Sequence, residues 1–251
     1  MVIMVFDTET ISIDKPFCYN IGYTIVNTDS REILEKREFI IEQIWHNLAL
    51  FSTAYYAEKR SLYIPLMRCR KITMDKWGYV MRAMTKDIRE YHIECAYAYN
   101  SPFDDKVFAF NCDWFKTSNP FDTLPIYDIR GMASEALFNR EDYKTFCEEH
   151  ERFTDTGNYS TTAETVYQYI TQNPEFIESH TALSDSEIET EILFACMERG
   201  ALIGIDYGVI RILEREKKNP FKVSIDGTVV YEGTYAKKRV LHDHYIFKTK
   251  L

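Results

Sequence analysis

The opening stretch M-V-I-M-V-F-D-T-E-T constrains this chain more than any other. Val2, Ile3, Met4, Val5 and Phe6 form an unbroken apolar run of β-branched, aromatic and other large side chains. That composition suits a short strand covered on both faces of a sheet. The run stops at Asp7, and Glu9 follows two residues later. Side chains at i and i+2 of an extended backbone point the same way, so Asp7 and Glu9 project together from the strand's end. Two ionised carboxylates so close repel, and burial makes each charge costlier to hold. A divalent cation relieves both problems, and hard oxygen ligands suit Mg²⁺ or Mn²⁺. On these two acids alone a polar turn after the strand is the simpler reading. The rest of the chain must supply more carboxylates to displace it.

A chain of 251 residues can bury a sizeable core as one domain with a small appendage. Its 45% hydrophobic and 15% aromatic content excludes a disordered protein. No apolar run approaches the length of a membrane span, so no membrane partner is expected. The N-terminal run is short, lacks the basic start of a secretory signal and leads into acids. The expectation is an intracellular, cytoplasmic protein. Cys18, Cys69, Cys95, Cys112, Cys147 and Cys196 form no C-x-x-C pair, which argues against a zinc site or a disulfide framework. The net charge of −9 argues against coating nucleic acid through bulk electrostatics. The charge is uneven, however: residues 211–251 carry +5 and residues 1–210 carry −14. The charge alone decides nothing, but strand-like runs over 221–247 around Asp226-Gly227 and Gly233 predict a small β-hairpin, so we divide the chain into a body, 1–210, and a basic β-hairpin appendage, 211–251. Lys217, Lys218, Lys237, Lys238 and Arg239 are candidates there for guiding a nucleic-acid backbone, or for a merely solvated surface.

Along the chain, 17–27 reads as a second strand and 32–41 as a third, joined by the turn chemistry of Asn27-Thr28-Asp29-Ser30. Residues 42–58 read as helical, 60–71 as mixed and basic, and 76–91 as a helix. A short apolar strand over 95–99 ends in Asn100-Ser101-Pro102 and leads into a helix carrying Phe103, Val107, Phe108 and Phe110. Residues 126–128 suggest a further strand, and 132–137 the start of a helix. The charge-dense stretch 139–158 reads as an exposed excursion. Thr161-Thr162-Ala163-Glu164 has the form of a helix N-cap, and 183–197 is a strong helix. Strands first, then strand–helix alternation, predicts an α/β domain with a mixed sheet and helices on both faces.

Two further acids stand out by context. Asp104 closes N-S-P-F-D at the opening of a helix, where the helix dipole favours a carboxylate. Asp185 closes H-T-A-L-S-D at the opening of the strongest helix. Each alone is an ordinary first-turn acid. In this order, D-T-E, N-x-x-F-D and H-x-A-x-x-D, they resemble the three motifs of the DEDDh family of 3′–5′ exonucleases, which has a ribonuclease H-like fold. The resemblance covers about residues 1–200, and His180 distinguishes it from the branch with Tyr at that place. Thr10-Ile11-Ser12 departs from the Thr-Gly common in the proofreading branch, and the wide spacing from Asp104 to His180 makes 139–158 an insertion.

The resemblance implies that Asp7, Glu9, Asp104 and Asp185 hold two Mg²⁺ or Mn²⁺ ions, which activate water and steady the leaving oxygen. It implies that His180 is the general base. Thr8 and Thr10 would meet the terminal nucleotide. Phe103 would pack behind the site or stack on a base. The expected substrate is single-stranded DNA or RNA, released as nucleoside 5′-monophosphates, and a homodimer or polymerase-type partner is compatible with this. Two alternatives remain open: a catalytically silent nucleic-acid-binding or regulatory module on the same fold, and ordinary helix starts on an unrelated α/β domain.

Overall fold

The computed structural model describes residues 1–55, 57–208 and 213, together with the backbone of 221–225 and 228–233. Its centre is a six-stranded sheet of β1 (Val2–Thr10), β2 (Cys18–Asn27), β3 (Glu32–Ile41), β4 (Thr73–Asp75), β5 (Cys95–Ala98) and β6 (Ile126–Asp128), in the order β4-β3-β2-β1-β5-β6. The pairs β1/β2 and β2/β3 are antiparallel, while β3/β4, β1/β5 and β5/β6 are parallel. Asn27 turns the chain between β2 and β3, its side-chain oxygen accepting from the N–H of Asp29 at 2.9 Å and of Ser30 at 3.3 Å. That is the Asx-turn chemistry its sequence predicts.

β1 is buried on both faces, as its run of apolar residues requires. Met4 and Phe6 join a core with Trp77, Val80 and Phe108, whereas Ile3 and Val5 join one with Met132, Tyr143 and Ile192. Helices α4 (Trp77–Glu90) and α5 (Ser101–Phe115) cover the first face. Helices α6 (Ile129–Ala133), α7 (Glu141–Glu149), α8 (Ala163–Thr171) and α9 (Ala182–Glu198) cover the second. Thr162 caps α8, its hydroxyl accepting from the N–H of Thr165. The α/β class and its mixed sheet are as expected.

Three local readings need correction. β1 does not end at Asp7 but runs on to Thr10, so Asp7 and Glu9 lie inside the strand, paired with Gly22 and Asn20 of β2. The ladder continues because β2 supplies partners along its whole length. Residues 42–58 do not form one helix. α1 (Glu42–Trp45) and α2 (Leu48–Phe51) are single turns, and a 3₁₀ turn (Ala57–Lys59) precedes α3 (Arg60–Arg68). Asn47 breaks the run by capping α2, accepting from the N–H of Leu50 at 3.1 Å. The stretch 139–158 is no exposed excursion. Within it α7 places Tyr143, Phe146 and Cys147 on one buried face, and the Tyr143 hydroxyl donates to the Ser160 carbonyl at 2.8 Å. Three apolar residues at i, i+3 and i+4 suffice to bury a helix whose other face is charged.

A hairpin of β7 (Phe221–Ile225) and β8 (Thr228–Gly233) is present toward the C-terminus. Asp226-Gly227 and the candidate basic residues Lys217, Lys218, Lys237, Lys238 and Arg239 lie outside the described residues. Among the described residues no helix is long and apolar enough to cross a membrane.

Candidate active site

The site is set by how closely α9 approaches β2. Gly22 faces the start of α9, and a Cβ on it would lie 2.0 Å from the backbone nitrogen of Leu183 and 2.2 Å from the carbonyl carbon of Ala182. Only a residue without a side chain lets the helix sit there. Asn20, fully buried on the same strand, fastens the contact. Its Oδ1 accepts from the N–H of Ala182 at 2.8 Å and from the Tyr63 hydroxyl at 3.0 Å, while Nδ2 donates to the Phe39 carbonyl at 3.0 Å. One otherwise orphaned N–H of the helix start is thereby satisfied. Two turns on, the hydroxyls of Thr24 and Thr190 share a hydrogen bond at 2.7 Å. The first turn of α9 is thus held over the end of β1.

This brings Asp185 to the acids of β1. One ligand atom each from Glu9, His180 and Asp185 lie within 4.8 Å of one another, the single such group among the described residues. Glu9, Asp104 and Asp185 are buried, and Asp7 is half-buried. Asp104 enters from the first turn of α5, where its Oδ1 accepts from the Thr8 hydroxyl at 2.6 Å. Glu9 accepts from the Tyr19 hydroxyl at 3.3 Å. The buried Oδ1 of Asp185 has no hydrogen-bond partner among the described residues.

Every one of these acids is harder to ionise than usual. Burial, then the charge of Glu178, pushes Asp7 up to about 7. Burial, then the charges of Asp7, Glu178 and Glu9, pushes Asp185 up to about 11. Glu9 and Asp104 are raised by burial first and by Asp7 second. Acids crowded in a low-dielectric pocket keep their protons unless a cation joins them.

His180 precedes α9 in a left-handed backbone conformation, with φ of 51°. Its Nδ1 lies 3.5 Å from a Glu178 oxygen. Burial and the nearby Lys59 charge lower its pKa, which favours the neutral ring.

The other expected residues divide. Thr8 is buried and its hydroxyl donates to Asp104, which suits it to positioning that acid. With Thr10 and Phe103 it also lines a groove of about 540 Å³ whose walls include Glu9, Ile13 and Tyr55. Phe103 packs in part against the first core as well.

Three charged residues at the site carry no motif. Glu178, pushed up to about 7 by burial and then by Glu164, faces His180. Lys59 is held below its ordinary range by burial, while the charges of Glu9 and Asp185 act to raise it. Glu189 is buried one turn beyond Asp185 and accepts from the N–H of Tyr99 at 3.1 Å. Its i+4 spacing from Asp185 put it on the same helix face and was the available signal. Asp128, which has no assigned role in the chemistry, caps α6 by accepting from the N–H of Arg130 at 2.8 Å.

No protein-family model matches the sequence, and no curated protein matches it. Among solved structures the chain is similar to a full-length 3′-exonuclease, with a TM-score of 0.51 at 12% identity over 94% of this chain and 68% of that one. It is also similar to E. coli exonuclease I in complex with a 5cy-dA13 oligonucleotide, with a TM-score of 0.50 at 11% identity over 79% of this chain. The match spans 41% of that longer protein. The nuclease domain of 3′hExo, a DEDDh family member bound to rAMP, aligns at 12% identity over 85% of this chain and 96% of that one, with a TM-score of 0.49. The fold is therefore the ribonuclease H-like fold found in 3′-exonucleases, as the three motifs implied.

Proposed function

We propose that this chain is a metal-dependent 3′–5′ exonuclease that hydrolyses single-stranded DNA or RNA and releases nucleoside 5′-monophosphates. The convergence of Glu9, His180 and Asp185, with Glu9 also lining a groove and with the charge of Asp7 acting on Glu9, Asp104 and Asp185 alike, carries the reading. Residues 1–210 would form the catalytic domain, with 211–251 as an appendage.

The donor set fits divalent metal. It is all oxygen plus one imidazole, it is crowded, and Asp185 offers a buried oxygen with no donor among the described residues. Asp7, Glu9, Asp104 and Asp185 would hold two Mg²⁺ or Mn²⁺ ions. Such ions supply charge neutralisation at the phosphate and lower the pKa of water.

The chain's own residues do the rest. The groove takes the 3′-terminal nucleotide, with Thr10 and Phe103 against it. His180 presents a ring whose neutral form is favoured, and with Nδ1 toward Glu178 its Nε2 would take the proton of the attacking water. The water oxygen forms a bond to phosphorus as the bond to the 3′ oxygen breaks. The departing 3′ oxygen takes a proton from solvent, so the shortened strand leaves with a 3′-hydroxyl. Thr8 and Tyr19 hold Asp104 and Glu9 in place by hydrogen bonds, so the acids need not reorganise during the step.

The test is purified protein with 5′-labelled single-stranded DNA and RNA of one sequence, in Mg²⁺, in Mn²⁺ and in EDTA. The expected result is a metal-dependent ladder shortening from the 3′ end. Intact strands under every condition overturn the proposal and leave the silent binding module.

A further inference from the structure

One surface next to the groove carries three aromatic side chains in a line, Phe103 and Phe110 half-buried and Trp114 exposed. Phe103, Phe110 and Trp114 all stand on α5. At 100° per residue, Phe110 and Trp114 fall within about 20° of Phe103 on either side of the helix axis line. At 1.5 Å per residue the file runs about 16 Å along the helix. Its inner end is Phe103, a wall of the groove. Its outer end is Trp114, 60% exposed, while Val107, Phe108 and Asn111 on the core-facing side of α5 are fully buried, Val107 directly beside the file.

The file is braced rather than loose. Phe17, from the strand-connecting loop, packs edge-on against Phe110 and Trp114, with ring centroids 5.0 Å away in each case. Phe110 and Trp114 lie nearly parallel, at 17°. Lys106 flanks the file on the same helix. Its ammonium donates to the Ile13 carbonyl at 3.0 Å, at the lip of the groove, and is otherwise exposed. Preformed aromatic faces beside a lysine are what a single strand binds, because every base has a face to stack and every step a phosphate to meet. A core function does not require Trp114 to be outside.

We infer that α5 carries the upstream part of the single strand, its bases stacking along Phe110 and Trp114 and its backbone passing Lys106 on the way into the groove. At about 3.4 Å per stacked base the file accommodates about five nucleotides behind the terminal one. The inference rests on the exonuclease reading for its direction, since the groove takes the 3′ end.

The protein carries its own reporter. Of its three tryptophans, Trp45 and Trp77 are buried and Trp114 alone is exposed. Full-length protein is titrated with dT2 and dT8 in Ca²⁺, following tryptophan fluorescence, with the anisotropy of labelled dT8 read in parallel. Hydrolysis of both oligonucleotides is measured in Mg²⁺. The expected result is quenching by dT8 but not by dT2, and an affinity for dT8 about five- to a hundredfold weaker in Trp114→Ala. Trp114→Phe, which keeps a ring to stack on, should restore the affinity while losing the fluorescence change. The defect of Trp114→Ala in hydrolysis should grow from dT2 to dT8.

Degradation of dT8 with no quenching and no length dependence overturns the platform and leaves the exonuclease standing. Quenching without hydrolysis in Mg²⁺ upholds the platform and overturns the exonuclease. Loss of affinity in Trp114→Phe as large as in Trp114→Ala also overturns it, since a site that binds by stacking keeps its affinity with any aromatic ring.

Discussion

Replacing Gly22 by alanine tests whether the site is assembled by the contact of α9 with β2. The new Cβ would sit 2.0 Å from the Leu183 nitrogen, against 3.4 Å for an ordinary contact, so the first turn of α9 must retreat by about 1.4 Å. The obstacle is backbone, not a side chain that can swing aside. The Ala182 N–H, now 2.8 Å from Asn20 Oδ1, moves beyond hydrogen-bond range. Overpacking of this kind costs about 1–3 kcal/mol, and the lost bond adds about 1 kcal/mol. Asp185 rides on the same turn. A misplacement of about 1 Å at a catalytic group costs about 100-fold in rate. The measurement pairs thermal unfolding with kcat on a labelled single strand, normalised to folded protein. Gly78→Ala in α4 is the control, because its Cβ meets only side chains, the nearest being a methyl carbon of Thr117 at 3.3 Å. A folded Gly22→Ala protein with full activity refutes the reasoning, for then α9 is not held where the structure places it.

Asp185→Asn should reduce turnover by about 100-fold or more, yet leave the metal-free melting temperature unchanged or higher. The native acid, pushed up to about 11, is already neutral in the folded protein at neutral pH. Single-turnover rates and thermal melts on one preparation check both halves. Glu38 on β3 gives a pH-dependent prediction away from the acids of the site. Burial raises its folded pKa from 4.5 to about 7, so the folded state binds more protons than the unfolded one across that interval. Stability therefore falls as pH rises through it, by about 3 kcal/mol in all. Glu38→Gln should match the wild type near pH 4.5 and exceed it at pH 8 in urea unfolding; equal stabilities at pH 8 would contradict the assignment. Because metal must displace protons from the raised carboxyls, Mg²⁺ or Mn²⁺ should raise the melting temperature more at pH 8 than at pH 5. The same shift at both values would mean that the ions bind elsewhere.

Much of this architecture can be read from local chemistry. The turn at Asn27 places the end of β2 and the start of β3, and the apolar run of β1 predicts a strand covered on both faces. Asp7, Glu9, Asp104, His180 and Asp185 are legible as candidates because three short motifs set them on β1 and at the starts of two helices. What resists reading is whatever tertiary packing alone creates. Glu178 from a loop and Lys59 from a 3₁₀ turn act on the site with no sequence pattern of their own. For Glu189 the sequence offers only its i+4 spacing from Asp185, since its burial and the hydrogen bond from the Tyr99 N–H come from packing. The helix α7 is hidden because charged residues outnumber the Tyr143, Phe146 and Cys147 that bury it. Nothing local shows that the Thr8 hydroxyl will donate to Asp104, which stands on another element.

The most direct test of the central claim is the chemistry of what leaves the 3′ end. A single strand carrying one radiolabelled phosphate 5′ to its last nucleotide is incubated in Mn²⁺ with the wild-type protein and with Asp7→Asn. The label should leave the wild-type reaction at once as a nucleoside 5′-monophosphate and remain in the strand with the variant. Label retained by both proteins, or released by both alike, would mean that the acids gathered at the end of β1 do not cut this bond.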